Sequence, residues 1–593
     1  MKRCRSFKRV CCVTISFAVS VVCVIMSMDI KAMASKGLLT DPYMALPTYD
    51  SVFVEWYTES EGKDNKVLIY ENGTDKDPTR EIGATTYKLS RLRGGKKESD
   101  CDDPKISASV YKHRAIVRDL PAYHGKESER IPYRVISDGA ISNIYTLAAK
   151  PAKGADIRIL LTSDLQIKDM CSAGFEAVEK KIGRVDALFI NGDLADVPDR
   201  AYDWFYSDNA FFRSLQGRAS HVTNGKEYKG GKIIQYAPIY SSIGNHDVMG
   251  VYNDSDILPW QFNNAKPRQY AIKLLEAMDT DKMSDEQKAG FIEDNSYNTI
   301  TYEELFDLPI SPEGGEKYYA VTIGDIRLIV LDLSRIWRQP MLGIAGKYSE
   351  YPGATQDMYG FGDFIFEDIG PDSKQMRFLK RELASDEYKK AKYKIVMFHF
   401  QYHSLGGNQI PPFTDPVPGM VKDPVTGLDM VTYDYPIDND YIDRYVAPLL
   451  EDSGVDLVYT AHSHIWNRFM TASGMNILES SNIGNTYNCF YKDAVRSDYP
   501  SALNADDPRH SIAGQWNEDN YVLSNDPYGL EPIYPNKAKL SDGTPYLASN
   551  SITAFSILDT GKGTVDSYYY DTSDPDSDIV LFDSFNIDQR NDP

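Results

Sequence analysis

Residues 157–169 read IRILLTSDLQIKD, an apolar run that breaks at Ser163 and Asp164 and offers Gln166 two residues later. Four other segments have the same form. DALFI leads into Asn191, Gly192 and Asp193; APIYSSI into Gly244, Asn245, His246 and Asp247; KIVMF into His399; VDLVYT into Ala461, His462, Ser463 and His464. Each run predicts a buried strand, and each strand delivers polar ligand types at its C-terminal end, where open α/β sheets place their sites. A lone Asp after a strand is ordinarily a turn or a helix cap. Five such ends in order predict a metal centre.

The donor types agree with this. Carboxylates, imidazoles and one amide, without a thiolate, suit Zn, Mn or Fe ions, and one shared Asp can bridge two cations at about 3.5–4 Å. His462 and His464 are alternate residues of an extended segment, so they point the same way, and burying both without partners would be costly.

Around these strands, FEAVEKKIG and SKQMRFLKRELAS predict helices, which makes residues 157 to about 480 an α/β core. Residues 40–150 instead carry short alternating segments such as SVFVEWYT, with Val52, Val54 and Trp56 on one side, and predict a small β-sandwich. AAKPAKGAD, residues 148–156, has the composition of a linker and separates that sandwich from a second domain, residues 155–593. SITAFSIL, TVDSYYYD and IVLFDSFNI return the chain to strands, and DTSDPDSD between the last two is a solvated turn that lacks the Gly and distal Glu of a calcium loop. Segments 197–232, 249–315, 338–372 and 404–440 show little regular pattern and are expected to be long loops that shape the site.

At 593 residues, with 42% hydrophobic and 25% charged residues, the chain is long enough for two or three folded domains. Lys2, Arg3, Arg5, Lys8 and Arg9 precede an apolar stretch from Val10 to Met28, and Ala32, Met33 and Ala34 supply a small-x-small site. Residues 1–34 therefore predict a signal peptide cleaved after Ala34, with an uncleaved membrane anchor as the alternative, and the remainder of the chain lies outside the cytoplasm. Without the leader the chain has 58 Lys and Arg against 85 Asp and Glu, a formal net charge of −27. That field repels nucleic acid and anionic lipid and concentrates divalent cations, so a small anionic substrate needs local metal ions. Of seven cysteines, four belong to the leader; Cys101, Cys171 and Cys489 form neither a disulfide framework nor a metal knuckle.

The series GDLAD, GNHD, FHF and AHSH after an Asp-x-Gln opener resembles the calcineurin-like metallophosphoesterase superfamily. KYYAVTIGDIRLIVLD and the helix before KIVMFHF are similar to the corresponding parts of purple acid phosphatases. The resemblance implies an α/β (α+β) fold: a four-layer metallophosphoesterase β-sandwich flanked by helices and preceded by a small fibronectin- or Ig-like all-β domain. It also implies two metal ions, Fe, Zn or Mn. One is held by Asp164, Asp193 and His464, and the other by Asp193, Asn245, His399 and His462, so that Asp193 bridges. His246 would sit over the substrate, Asp247 would orient its ring, and a hydroxide activated by the metals would attack phosphorus in line.

Two positions depart from the pattern. Gln166 stands where the superfamily has His, and Asp196 stands where purple acid phosphatases have an iron-binding Tyr, so no iron-phenolate chromophore is expected. Gln166 is either a metal ligand through its amide oxygen or a hydrogen-bonding neighbour of the ligands. Asn245, His403 and Arg468 are candidate contacts to the substrate, with an exposed polar residue and a structural salt bridge as the alternatives for His403 and Arg468. The expected function is a secreted two-metal phosphoesterase acting on a small phosphorylated substrate, foremost a phosphomonoesterase. The alternatives are a diesterase or nucleotidase on the same site, and an extracellular binding protein that keeps the scaffold without turnover.

Overall fold

The computed structural model describes residues 37–335, 349–350, 367–406, 413–414, 417–434, 436–484, 526, 528–533 and 546–587. The leader, Cys489 and most of segment 338–372 lie outside the described residues.

Two antiparallel sheets account for residues 43–147. One orders its strands Tyr43–Ala45, Val52–Thr58, Tyr111–Val117 and Thr85–Lys88; the other is built on Asn65–Ile69 and Ile131–Ser137. Val52, Val54 and Trp56 face the other sheet and join Val67, Ile69, Val117, Tyr133 and Val135 in one apolar cluster. Trp56 Nε1 ties the layers by donating to Ser137 Oγ at 2.8 Å. The alternation in SVFVEWYT assigns only that one face to a core, yet Glu55 and Tyr57 on the opposite face are also fully buried. Tyr57 packs against Phe205 edge-on and Phe212 at a tilt and donates to the Leu305 carbonyl at 2.5 Å, while Lys112 bridges Glu55 and Asp307. The sandwich therefore leans its second face on the larger region.

That region is built on two six-stranded sheets. The first runs Ile239–Ser241, Ala187–Ile190, Arg158–Thr162, Ile552–Asp559, Thr564–Asp571 and Val580–Asn586; its first three strands are parallel and the last three are antiparallel additions. The second runs Tyr319–Ile323, Ile326–Val330, Tyr393–Met397, Leu457–Thr460, Asn476–Ser480 and Trp466–Met470, with four parallel strands in its middle. Parallel strands covered on both faces read as continuous apolar runs, which is why KIVMF and VDLVYT show no polar alternation. Side chains of the second sheet divide by parity. Leu328, Ile395, Met397, Leu457 and Tyr459 join the core shared with the first sheet. Ile329, Val396 and Val458 face Met376, Phe378 and Leu379 of the helix Lys374–Leu383. The helix Cys171–Ile182 covers the first sheet with Phe175 and Val178. The result is four layers: helix, sheet, sheet, helix.

Segment 249–315 departs from its expected loop character. It contains the helices Leu258–Phe262, Arg268–Glu276, Asp285–Asp294 and Ile300–Leu305. Arg268–Glu276 buries only Ala271 and Asp285–Asp294 buries nothing. Segment 197–232 likewise holds the short helix Phe211–Leu215 and a hairpin of His221–Thr223 with Lys226–Tyr228. In segment 404–440, Val417–Lys422 pairs with Asp429–Asp434.

Candidate metal centre

Five parallel strands, three from the first sheet and two from the second, end at one place. Asn191 joins the sheets there. Its Nδ2 donates to the carbonyls of Phe398 (2.9 Å) and Tyr459 (2.8 Å), its Oδ1 accepts from Ser242 Oγ (2.6 Å), and its own carbonyl accepts from His399 Nδ1 (2.7 Å). That last bond leaves His399 Nε2 pointing the other way, 3.3 Å from Asp193 Oδ1. The glycines in GDLAD and GNHD permit the loops to meet. Gly192, at φ +79°, would bring a Cβ to 2.6 Å from the Gly244 nitrogen and 2.7 Å from His399 Nδ1, and a Cβ on Gly244 would lie 2.3 Å from Asp193 Oδ1.

The ligand candidates gather in two groups that share Asp193. Asp193, His399 and His462 form one, and Asp164, Asp193 and His464 the other, each with its potential ligand atoms within 4.8 Å of one another and every side chain buried. His462 Nδ1 lies 3.3 Å from His399 Nε2, and its ring stacks on Phe400 at 4.1 Å. His464 Nε2 is 3.2 Å from Asp164 Oδ1. Burial works against the Asp193 carboxylate, but the neighbouring His399 and His246 hold its pKa well below the usual range. Burial likewise disfavours charge on His399, yet the Asp193 carboxylate raises it to about 9.

Asp164, Gln166, Asp193, His462 and His464 all have positive φ, between 42° and 80°. Side chains with a Cβ seldom adopt this region, and such strain gathers where function fixes the backbone. Asn245 supplies a second sign of purpose. It is 2% exposed, and neither its Oδ1 nor its Nδ2 makes a hydrogen bond. Asp164 Oδ1 also lacks a hydrogen-bond donor. Buried carboxylates and imidazoles, with a buried amide whose two polar atoms make no hydrogen bond, are what a site for Zn, Mn or Fe ions requires, so the residues fit such ions.

Several expected roles change. Asp247 was expected to orient the His246 ring, but its carboxylate accepts the backbone N–H groups of Asp193 (2.8 Å), Gly244 (2.8 Å) and Leu194 (3.1 Å), clamping the loop that carries Asp193. Burial and then the charge on Asp193 push the Asp247 pKa up to about 7. The His246 ring is oriented by the Asp196 carbonyl, 2.7 Å from Nδ1, and lies against Phe262, while the side chain stays 22% exposed. The Asp196 carboxylate pairs with Arg200 at 2.7 Å. Gln166 donates its Nε2 to Asp193 Oδ2 at 2.6 Å, which is the hydrogen-bonding role of the two left open. Arg468 takes the structural salt bridge: its Nε and Nη2 bind Asp583 at 2.9 and 3.2 Å, bolting the second sheet to the last strand of the first. His403 Nδ1 is 2.9 Å from Asp526 and its ring packs with Tyr402, Phe469 and Tyr528; the side chain is buried, which departs from its reading as an exposed polar residue.

Three residues that the sequence did not single out serve the site. Asn191 is one. Glu479 is another: buried under the histidine loop, it accepts the Ser463 N–H (2.8 Å) and Ser481 Oγ (3.0 Å) on one oxygen, and Ser404 Oγ and Asn467 Nδ2 (both 2.8 Å) on the other. The third is Lys168, whose Nζ lies 2.9 Å from His464 Nε2. A buried Glu or Lys near a strand end was the available signal.

No curated protein matches the chain in sequence. Among solved structures, a purple acid phosphatase, PPD1, from yellow lupin (Lupinus luteus) seeds is 13% identical, with a TM-score of 0.45 over 92% of this chain and 73% of that one. A structure of PhoD is 12% identical, with a TM-score of 0.46 over 93% of this chain and 90% of that one. The model of the calcineurin-like phosphoesterase family matches residues 157–466, which span both groups of ligand candidates, and this chain belongs to that family.

Proposed function

We propose that this protein is an exported phosphomonoesterase working with two metal ions held at Asp164, Asp193 and His464, and at Asp193, Asn245, His399 and His462. The observation that carries this reading is the pair of buried Asp/His groups sharing Asp193, with the partly exposed His246 beside them and outside both. Ions bound there supply positive charge and lower the pKa of water, which provides a nucleophile at neutral pH. The chain's own residues do the remainder. Asp193 receives N–H groups from His246 and Gln166 on its two oxygens, which fixes its carboxylate plane. His246, with Nδ1 on the Asp196 carbonyl, presents Nε2 as a proton donor to the leaving oxygen. Asn245 keeps both amide atoms available, so its Nδ2 can donate to a phosphoryl oxygen while its Oδ1 would help to hold a cation. A monoester dianion gains more from two local cations than a diester monoanion does, which favours the monoester.

No helix among the described residues is long and apolar enough to cross a bilayer. The test is metal-reconstituted protein assayed against a monoester, a diester, a nucleotide and a pyrophosphate. Turnover greatest on the monoester is expected. Faster diester cleavage would replace this reading, and binding without turnover would support the non-catalytic alternative.

A further inference from the structure

Lys168 lies four residues beyond Asp164 and is 8% exposed. Gln166 and Ile167, both at positive φ, turn the chain back so that Lys168 returns to the side of Asp164. The Lys168 N–H donates to the Leu165 carbonyl at 2.7 Å, and its carbonyl accepts from Asn209 Nδ2, so the backbone is held on both sides. Its Nζ reaches His464 Nε2 at 2.9 Å and the Asp164 carbonyl oxygen at 3.3 Å.

His464 Nε2 is also the atom that faces Asp164 Oδ1 at 3.2 Å, and so the atom through which His464 joins Asp164 and Asp193. An imidazole nitrogen carries either one lone pair or one proton. Whichever partner holds the proton, a nitrogen bonded to Lys168 is not available to a cation. Asn245, assigned to the other group, has both amide atoms without a hydrogen-bond partner. In the other group the facing nitrogens belong to two imidazole ligands, His399 Nε2 and His462 Nδ1 at 3.3 Å, in place of an imidazole and an ammonium, so the two groups are unequal as cation sites.

We propose that Lys168 is an internal cation that competes with one of the two metals: its ammonium and an ion at Asp164, Asp193 and His464 are alternative occupants of that position. The proposal rests on the two-metal reading above and adds an order of affinity to it. One ion binds tightly at Asp193, Asn245, His399 and His462. The second binds only when Lys168 leaves His464, so double occupancy depends on metal concentration.

The test is calorimetric titration of the metal-stripped full chain with Zn(II), with bound zinc counted by mass spectrometry. The wild-type protein is expected to take one equivalent tightly and a second at least ~30-fold more weakly. Lys168→Met keeps the side-chain length without the charge, and it should tighten the second equivalent by ~10-fold or more while leaving the first unchanged. Lys168→Gln provides the same reading if the methionine variant folds poorly. Two equivalents of equal affinity in the wild type, or an unchanged second affinity in the folded variants, would overturn the competition and leave the two-metal reading standing. A protein that binds no zinc would overturn both.

Discussion

Replacing Asn191 by Asp changes one terminal atom and creates no cavity, so a packing argument predicts almost no effect. The hydrogen bonds predict a large one. Asn191 Nδ2 stands 2.9 and 2.8 Å from two carbonyl oxygens, and an Asp would set an acceptor against both. The Tyr459 carbonyl would keep the Phe398 N–H, 3.2 Å away, but Phe398 would lose the donor that Asn191 gives its carbonyl. An orphaned buried acceptor costs about 1–3 kcal/mol and each further lost bond about 1 kcal/mol. Protonating the new carboxyl to relieve the clash, or leaving it charged at 0% exposure, adds more. The total is about 3–5 kcal/mol. Because Phe398 precedes His399 and Tyr459 lies three residues before His462, the loss should reach the ligands and weaken metal binding by ~10-fold or more. Urea unfolding followed by tryptophan fluorescence gives the first quantity and chelator competition gives the second. A variant within about 1 kcal/mol of wild type and with unaltered metal affinity would mean that Asn191 fills space and does not tie the sheets.

Other perturbations separate the remaining roles. His246→Ala is expected to keep both metals and lose ~100-fold or more in kcat, since the ring bonds Asp196 and touches neither ligand group through its side chain; metal analysis beside kinetics decides it. Gly192→Ala forces a Cβ into the Gly244 backbone and His399 Nδ1, so metal content should fall together with folded yield, measured by elemental analysis of the soluble fraction. Glu479 is raised from 4.5 to about 7 by burial, so the folded protein holds a proton there that the unfolded chain releases near pH 4.5. Its contribution is then fully present below about pH 4.5 and lost as pH rises to about 7, on the order of 3 kcal/mol, and Glu479→Gln should flatten that slope in pH-dependent urea melts.

The strand ends were legible because two independent costs mark them. A run such as VDLVYT has no reason to be wholly apolar unless both faces are covered, and His462 and His464 have no reason to follow it unless something pairs with them. What stayed hidden depends on backbone atoms or on a neighbour distant in sequence. The His246 ring is set by the Asp196 carbonyl, and no residue type announces a carbonyl. The family resemblance implied Asp247 as a partner for that ring, but the turn Asn245–Asp247 sends its carboxylate toward three backbone N–H groups instead. Arg468 finds Asp583, 115 positions away, across the two sheets. The second buried face of Val52–Thr58 likewise exists only because Phe205, Phe212 and Leu305 arrive from the larger region.

The strained backbone makes these residues costly to place as a set. Left-handed geometry costs a residue with a Cβ roughly 1–2 kcal/mol, and glycine would remove that cost at Asp164, Asp193, His462 and His464. Glycine carries no ligand, however, so the chain accepts strain at the positions where a donor must leave a strand end sharply. Local bonds then hold the turns. Asp164 Oδ2 takes the Ser163 hydroxyl at 2.6 Å and the His462 N–H at 3.2 Å, so the first strand end of one sheet fixes the last ligand loop of the other. Asp247 holds the turn at Asp193, and Glu479 holds Ser463 between the two histidines. The turns that carry Asp193, His462 and His464 are thus held by hydrogen bonds to Asp247, Asp164 and Glu479. Gln166, whose place in the motif belongs to a ligand, adds its Nε2 to these supporting bonds. The same short turn brings Lys168 to His464, so the departure from the family pattern at residue 166 and the cation at residue 168 belong to one local rearrangement of the site.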